Sequence, residues 1–145
     1  MLKILSLFLI FNFQITKELR DNNPALFTNQ RIYHIPPEPL FKNQNHNFDF
    51  ITDIPKDSVV SATLFFKTDL MEYYREFKLE GLFGLYQFFY DHKIYAGNYL
   101  QYYFIIKTKN TIHGIPLNEK GNLIPTNELL IDPVEYFKQQ ARLNK

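Results

Sequence analysis

Apolar and polar side chains alternate between residues 48 and 107, and this pattern constrains the fold more than any other feature of the chain. In the first segment, Phe48, Phe50 and Thr52 share one side of an extended backbone. A period of two indicates a half-buried β-strand, because successive side chains of a strand point to opposite faces of its sheet. The pattern therefore predicts a series of strands rather than amphipathic helices.

Four further segments repeat the alternation, at residues 59–67, 72–79, 84–90 and 99–107. The faces expected to turn inward carry Val60, Ala62, Leu64 and Phe66 in the first of these and Leu100, Tyr102, Phe104 and Ile106 in the last. Because residues 91–98 have the composition of a turn, the strands on either side of them are expected to pair antiparallel. Short strands at intervals of roughly 8–12 residues favour an all-β sandwich or small barrel over an α/β fold.

The length of 145 residues fits one domain with one core. Apolar residues make up 46% of the chain and aromatic residues 17%, a composition that favours strands over disorder. Residues 17–31 are polar and irregular and are expected to form an extended lead-in, whereas residues 32–131 are expected to form the sandwich. Prolines at 36, 37 and 39 exclude helix from its first segment and suit an extended edge.

Residues 132–145 are predicted to form a C-terminal helix, because three start signals coincide there. Asp132 is a favourable N-cap, Pro133 suits the first helical position, and Glu135 stands where a capping box places an acidic side chain. The helix should end at about residue 143. Its apolar face is expected to carry Val134, Phe137 and Ala141.

The amino terminus has the pattern of an export signal. Lys3 precedes an apolar run over residues 4–13, which matches the roughly 7–15 residues of a signal-peptide core and is shorter than the roughly 20 that span a bilayer. Residues 1–16 are therefore predicted to be a signal peptide or a short N-terminal anchor. No small-x-small cleavage site follows the run, so an uncleaved anchor remains an alternative, as does a buried strand or helix of the domain.

Charge and cysteine content exclude several classes of protein. Sixteen basic residues against fifteen acidic ones give a net charge of +1, and loss of Lys3 with a signal peptide would balance the two. Nucleic-acid binding needs a clustered basic face, which this sequence lacks, so no nucleic-acid partner is expected. With no cysteine, the chain has neither a disulfide framework nor a thiolate metal site. Membrane contact is expected only through the N-terminal segment.

No group of residues predicts catalysis, a metal or a cofactor. The four histidines are at least twelve residues apart, too scattered for a zinc site. Asp49, Asp53 and Asp57 recur every four residues, but the calcium-loop glycine is missing. The serines lack a Gly-x-Ser-x-Gly context, and the five glycines do not form a phosphate loop. We therefore expect no catalytic residue, no metal ligand and no cofactor, and a protein that is not an enzyme.

An ordered set of aromatic and proline-containing segments spans residues 33–116. These segments are the lead Tyr33–Pro37, the strand 59–67, the strand start Gly84–Tyr86, the strand segment Leu100–Phe104 and the stop Gly114–Pro116. In this order they resemble an immunoglobulin-like, fibronectin-type-III-like (early-set) domain of bacterial envelope proteins. The resemblance implies an antiparallel immunoglobulin-like β-sandwich, here with a short C-terminal helix. It also implies export to the periplasm, the outer membrane or the cell surface of a bacterium, and a docking or adaptor role beside an envelope protein or larger complex.

Aromatic residues are denser than one inward-facing side of each strand requires. The residues favoured for partner binding are Tyr95, Tyr99, Tyr103 and Phe137. The main hypothesis is an exported, non-catalytic structural or protein-interaction module. The alternative is a carbohydrate-binding module in which exposed Tyr and Phe side chains stack on a glycan. If the lead-in and the C-terminal helix cover this second face, no such patch is exposed.

Overall fold

The computed structural model describes residues 31–144, and the predicted signal peptide or anchor and nearly all of the lead-in lie outside this part. The described chain is mostly β, with a 3₁₀ turn at Lys56–Ser58 and one helix, α1, at Pro133–Leu143. Its strands are β1 (Ile32–Tyr33), β2 (His46–Thr52), β3 (Val59–Thr68), β4 (Arg75–Lys78), β5 (Leu85–Tyr90), β6 (Tyr99–Thr108), β7 (Ile112–Ile115) and β8 (Thr126–Leu129). Within residues 31–144, no helix has the length and apolar content needed to cross a membrane.

The strands form two antiparallel sheets. The smaller sheet has the order β1-β2-β5, and the larger has the order β4-β3-β6-β7. Strand β8 also pairs with β6, so that β7 and β8 share one side of that strand. The prediction of an antiparallel all-β architecture with a short C-terminal helix is confirmed.

The core lies between the facing sides of the two sheets. Phe50 of β2 stacks on Phe104 of β6 with 4.5 Å between ring centroids. Phe48 of β2 meets Tyr102 of β6 edge to face at 5.1 Å. All of these rings are buried, which confirms the inward faces predicted for the first and last of the alternating segments.

Strand β3 departs from the alternation at one position. Three of its predicted inward residues are buried, but Val60 is 60% exposed. The register of β3 against β6 shifts between Val59 and Ser61, which is the mark of a β-bulge. Val59 packs against the core in place of Val60, so the prediction for Val60 is wrong.

The expected pairing of the strands at 84–90 and 99–107 is wrong. Strand β5 pairs with β2 and β6 pairs with β3, so residues 91–98 carry the chain from one sheet to the other. Tyr95 in this connection contacts Phe66 and Phe77, and its carbonyl accepts a hydrogen bond from the Tyr90 hydroxyl at 2.7 Å. Packed sheets lie about 10 Å apart. Residues 91–98, with the Tyr95 ring packed inward, span that distance, whereas a tight hairpin would be too short.

Two strands differ from the sequence prediction in extent. The segment expected at 72–79 forms a strand only over Arg75–Lys78. Strand β8, with the sequence Thr-Asn-Glu-Leu, was not predicted at all. Asn and Glu are depleted in strands, so β8 is set by its pairing with β6 and not by its own composition.

Candidate functional site

The C-terminal helix α1 begins where the sequence predicts. The Asp132 Oδ1 atom accepts hydrogen bonds from the backbone N–H groups of Val134 at 2.8 Å and Glu135 at 3.3 Å. Pro133 occupies the first helical position, and the last helical residue is Leu143. The N-cap and the length predicted for this helix are therefore confirmed.

None of the residues of the helix is buried, and all of them except Pro133 and Tyr136 in its first turn are exposed. Its apolar side chains Val134 and Phe137 are 59% and 60% exposed. An isolated helix of 11 residues is marginal in water, and most helices are stabilised by packing an apolar face. The apolar face of α1 is therefore available to another surface.

Contacts at the first turn hold the helix to the sheets. The backbone N–H of Ile131 donates to the carbonyl of Leu40 at 2.7 Å. Phe41, the next residue, contacts the rings of Tyr136 at 5.4 Å and Phe137 at 5.7 Å. The helix is thus attached at its amino end, while its remaining turns project from the domain.

A groove of about 410 Å³ lies between this first turn and the proline-containing segment before β2. Its walls are Pro37, Glu38, Pro39, Leu40, Glu128, Leu129, Ile131 and Tyr136. Leu129 is 65% exposed and stands opposite Tyr99 across the β6–β8 pair. We call the groove and the apolar side chains around it the carboxyl-end surface, which comprises Phe41, Tyr99, Leu129, Val134, Tyr136 and Phe137.

Two carboxylates without an ion-pair partner flank the groove. Among residues 31–144, no ion pair involves either Glu38 or Glu128. Burial, together with the negative charge of Glu38, raises the pKa of Glu128. A carboxylate in this environment disfavours a second anion, so the groove favours neutral or positively charged groups of a partner.

A smaller cleft of about 240 Å³ shares Glu128 with the groove and is lined by His34 and Tyr102. The His34 Nδ1 atom lies 2.7 Å from the carbonyl oxygen of Asp49. Because a carbonyl can only accept, Nδ1 carries the proton and the other ring nitrogen, Nε2, accepts from the Tyr102 hydroxyl. Burial lowers the pKa of His34, so its ring is neutral near pH 7.

The structure separates the residues predicted to bind a partner. Tyr99 and Phe137 belong to the carboxyl-end surface, with 37% and 60% of their surface exposed. Tyr95 is half-buried and packs against the core in the connection between the sheets. These rings therefore do not form one continuous aromatic platform.

The prediction that Tyr103 presents an exposed ring to a partner is wrong. It lies on the outer face of β6, opposite Phe65 of β3, and the two rings stack at 4.6 Å. The ring of Tyr74 also contacts it, at 5.3 Å, and only 6% of Tyr103 is exposed. Tyr103 therefore supports the sheet surface and does not present its ring to a partner.

The spacing of the histidines did not reveal that His113 is buried and His34 half-buried. His34 joins the two sheets, and His113 is only 5% exposed within β7. The Nε2 atom of His113 lies 3.0 Å from the Thr111 hydroxyl, and its Nδ1 atom has no hydrogen-bond partner. The apolar context Ile112–Ile115 was the available signal for its burial. Among the described residues, no group of three or more His, Asp or Glu side chains could hold a metal ion.

Comparison with protein-family models and with curated protein sequences gives no match for this chain.

Proposed function

We propose that this chain is an exported, non-catalytic protein-interaction module of the bacterial envelope that binds an envelope protein through its carboxyl-end surface. The observation that carries the proposal is the exposed apolar face of α1. Val134 and Phe137 contribute nothing to a core, since no residue of the helix is buried. A partner that covers these side chains accounts for their apolar character.

The strand order supports an immunoglobulin-like sandwich as the scaffold. In constant-type immunoglobulin domains, the first, second, fourth and fifth strands form one sheet and the third, sixth and seventh form the other. Here β1, β2 and β5 share one sheet, and β3, β6 and β7 share the other. The arrangement departs from that plan at β4, which pairs with β3. Strand β8 and α1 are additions after the seventh strand.

The environment of His34 supports a non-catalytic role. Both ring nitrogens of His34 are already engaged, by the Asp49 carbonyl and the Tyr102 hydroxyl. A general base needs a nitrogen within hydrogen-bond reach of a substrate proton. The His34 ring and the Tyr102 hydroxyl therefore hold the two sheets together and leave no ring nitrogen for a substrate.

The partner proposed for the carboxyl-end surface is a protein with an apolar face. Phe137 and Tyr99 are exposed aromatic side chains of this surface, and aromatic residues are enriched at protein interfaces. Glu38 and Glu128 disfavour acidic groups of a partner at the groove. Export to the envelope is proposed from the basic start and apolar run of residues 1–16.

Photocrosslinking in the source cell tests this proposal directly. A photoreactive phenylalanine analogue at position 137 should crosslink to one envelope protein, identified by mass spectrometry of the adduct. The matched control places the same analogue at Gln139, an exposed residue of the polar helix face. Equal crosslinking from both positions, or a cytosolic partner, would contradict the proposal. The mass of the native chain shows in the same sample whether residues 1–16 are removed.

A pair of double variants separates binding from folding. Val134→Ser with Phe137→Ser should abolish capture of the identified partner, whereas Gln139→Ser with Gln140→Ser should retain it. Both should leave the β-sheet circular dichroism unchanged, because neither pair is buried. Retardation in polysaccharide affinity gels that is lost in Tyr99→Ala would instead favour a carbohydrate-binding module.

A further inference from the structure

The free edge of β5 carries an inference that is independent of the carboxyl-end surface. Strand β5 pairs with β2 on one side, and among residues 31–144 no strand pairs with its other side. An edge strand presents unpaired N–H and C=O groups that can accept another strand. Proteins usually protect such edges with charged side chains, prolines, bulges or very short strands.

The remaining edge strands of the described chain have these protections, and β5 has none of them. Strand β1 has only two residues, and β4 has the sequence Arg-Glu-Phe-Lys. Strand β7 is short and is followed directly by Pro116, and the equally short β8 carries Glu128. Strand β5 reads Leu-Tyr-Gln-Phe-Phe-Tyr, without a charge or a proline, and its register with β2 is unbroken.

The hydrogen-bond pattern shows which backbone groups of β5 point to the free edge. Opposite residues in an antiparallel pair alternate between bonded and non-bonded pairs. The backbone N–H of Thr52 donates to the carbonyl of Gly84 at 2.9 Å, so the even-numbered positions of β5 are bonded to β2. The odd-numbered positions, Leu85, Gln87 and Phe89, therefore turn their backbone groups outward.

Two of these outward residues have free backbone groups. Leu85 exchanges two hydrogen bonds of 3.0 Å with Leu82 in the turn before β5, which uses both of its groups. No described backbone group pairs with the outward N–H and C=O groups of Gln87 and Phe89. The Gln87 side chain lies back over β2, where its Nε2 donates to Asp49 Oδ1 at 2.9 Å, and it leaves the edge open.

We propose that this edge pairs antiparallel with the same edge of a second copy of the chain, about a two-fold axis at Phe88. In this register Gln87 lies opposite the partner's Phe89, and the outward groups of both residues pair on both copies. Leu85 keeps its bonds within the turn. The lack of charge on β5 favours an identical strand, because a two-fold axis would otherwise bring like charges of the two copies close together.

The substitution Gln87→Pro tests the pairing, because it removes a backbone N–H that would donate to the second copy. The N–H of Gln87 points away from β2, so Gln87→Pro removes no backbone hydrogen bond of the protomer and suits an edge strand. It does remove the side-chain hydrogen bond to Asp49, and Gln87→Ala is the matched control because it loses the same bond. Sedimentation equilibrium of the full chain, in the form that the source cell produces, should show a dimer. Gln87→Pro should raise the dimer dissociation constant about tenfold or more, while Gln87→Ala should not. A chain that is monomeric at every concentration overturns the proposal.

If Gln87→Pro fails to fold, a charged variant and a pair of cysteine variants test the same pairing. Gln87→Lys places two like charges beside the axis, each partly offset by Asp49 of its own copy, and should weaken the dimer. Because the chain has no cysteine, a mixture of Gln87→Cys and Phe89→Cys variants should form disulfide-linked heterodimers, and folded variants that form none overturn the proposal. A mixture of Asn47→Cys and Asp49→Cys, on the inner strand β2, should not. Val134→Ser with Phe137→Ser should still dimerise, which separates this edge from the carboxyl-end surface.

Discussion

His34 and Tyr102 share a hydrogen bond of 2.8 Å between Nε2 and the hydroxyl oxygen, and this bond joins the segment after β1 to the middle of β6 in the opposite sheet. The same imidazole stacks on Phe50 of β2 at 4.3 Å. Tyr102 is buried, and burial raises the pKa of its phenol far above the ordinary value. A neutral histidine and a neutral tyrosine therefore form a polar tie inside an aromatic core.

His34→Gln should destabilise the protein more at about pH 8 than at about pH 5. The folded pKa of His34 lies below its ordinary value of 6.5, so the unfolded chain takes up the proton first as the pH falls. The wild-type chain thus loses the contribution of this residue as the pH falls from about 6.5 toward the folded pKa, and the Gln variant has no such loss. Urea unfolding at both pH values measures the difference. His92→Gln, at a loop histidine bonded to Asn45, is the control, and an equal pH dependence in both variants would contradict the tie.

Phe104→Ala should lower the free energy of unfolding by about 3–5 kcal/mol, because it opens a cavity between the two sheets. Phe104 is fully buried and stacks on Phe50. A loss of this size is a large part of the roughly 5–15 kcal/mol by which domains are stable. Tyr73→Ala, at a ring that is 73% exposed, should change the value by less than about 0.5 kcal/mol. Chemical denaturation measures the free energy of unfolding of both variants. Similar losses in the two would contradict a core formed by Phe104 between the two sheets.

Val59→Thr and Val60→Thr form a matched pair that tests the bulge in β3. The substitution keeps the shape of the side chain and replaces one methyl group with a hydroxyl. At Val59 the hydroxyl would enter the core side and should cost about 1–3 kcal/mol. At Val60, which is 60% exposed, the change should be near zero. Thermal unfolding measures which variant is less stable. A larger loss for Val60→Thr than for Val59→Thr would contradict the bulge.

Phe83→Asn should stabilise the protein by about 1 kcal/mol. Phe83 has a φ of 50° in the turn before β5, a conformation that bulky L-residues avoid and Asn tolerates. Its side chain is 99% exposed, so no packing is lost. Leu82→Asn, at the preceding exposed residue of the same turn, is the control and should give no gain. Urea unfolding of both variants provides the measurement.

The alternation of side chains was sufficient to predict which faces of β2 and β6 are buried. It could not predict which sheet each strand joins, because a period of two records a face and carries no record of a neighbour. The strands β5 and β6 illustrate the limit, since they are adjacent in sequence but lie in different sheets. The bulge at Val59 could not be predicted for a related reason, because it depends on the register of β3 against β6.

The candidate site shows the same division between local and long-range information. The cap of α1 was predictable because Asp132 and Pro133 act within one turn of helix, whereas the Glu135 side chain accepts a hydrogen bond from Lys138 Nζ at 3.0 Å. The burial of Tyr103 was not, because it follows from Phe65, which lies 38 positions earlier and becomes a neighbour only through the β3–β6 register. The tie between His34 and Tyr102 crosses the two sheets and has no sequence signature at all.

The core of this domain closes at Leu130, before the helix begins, and α1 adds no buried side chain to it. Substitutions along the helix are therefore free of the constraint that the aromatic interior places on β2 and β6. The exposed turns can therefore accept substitutions, or a different helix can replace them after Ile131, without a change in the aromatic core. The positions that are open to redesign thus lie apart from those on which folding depends.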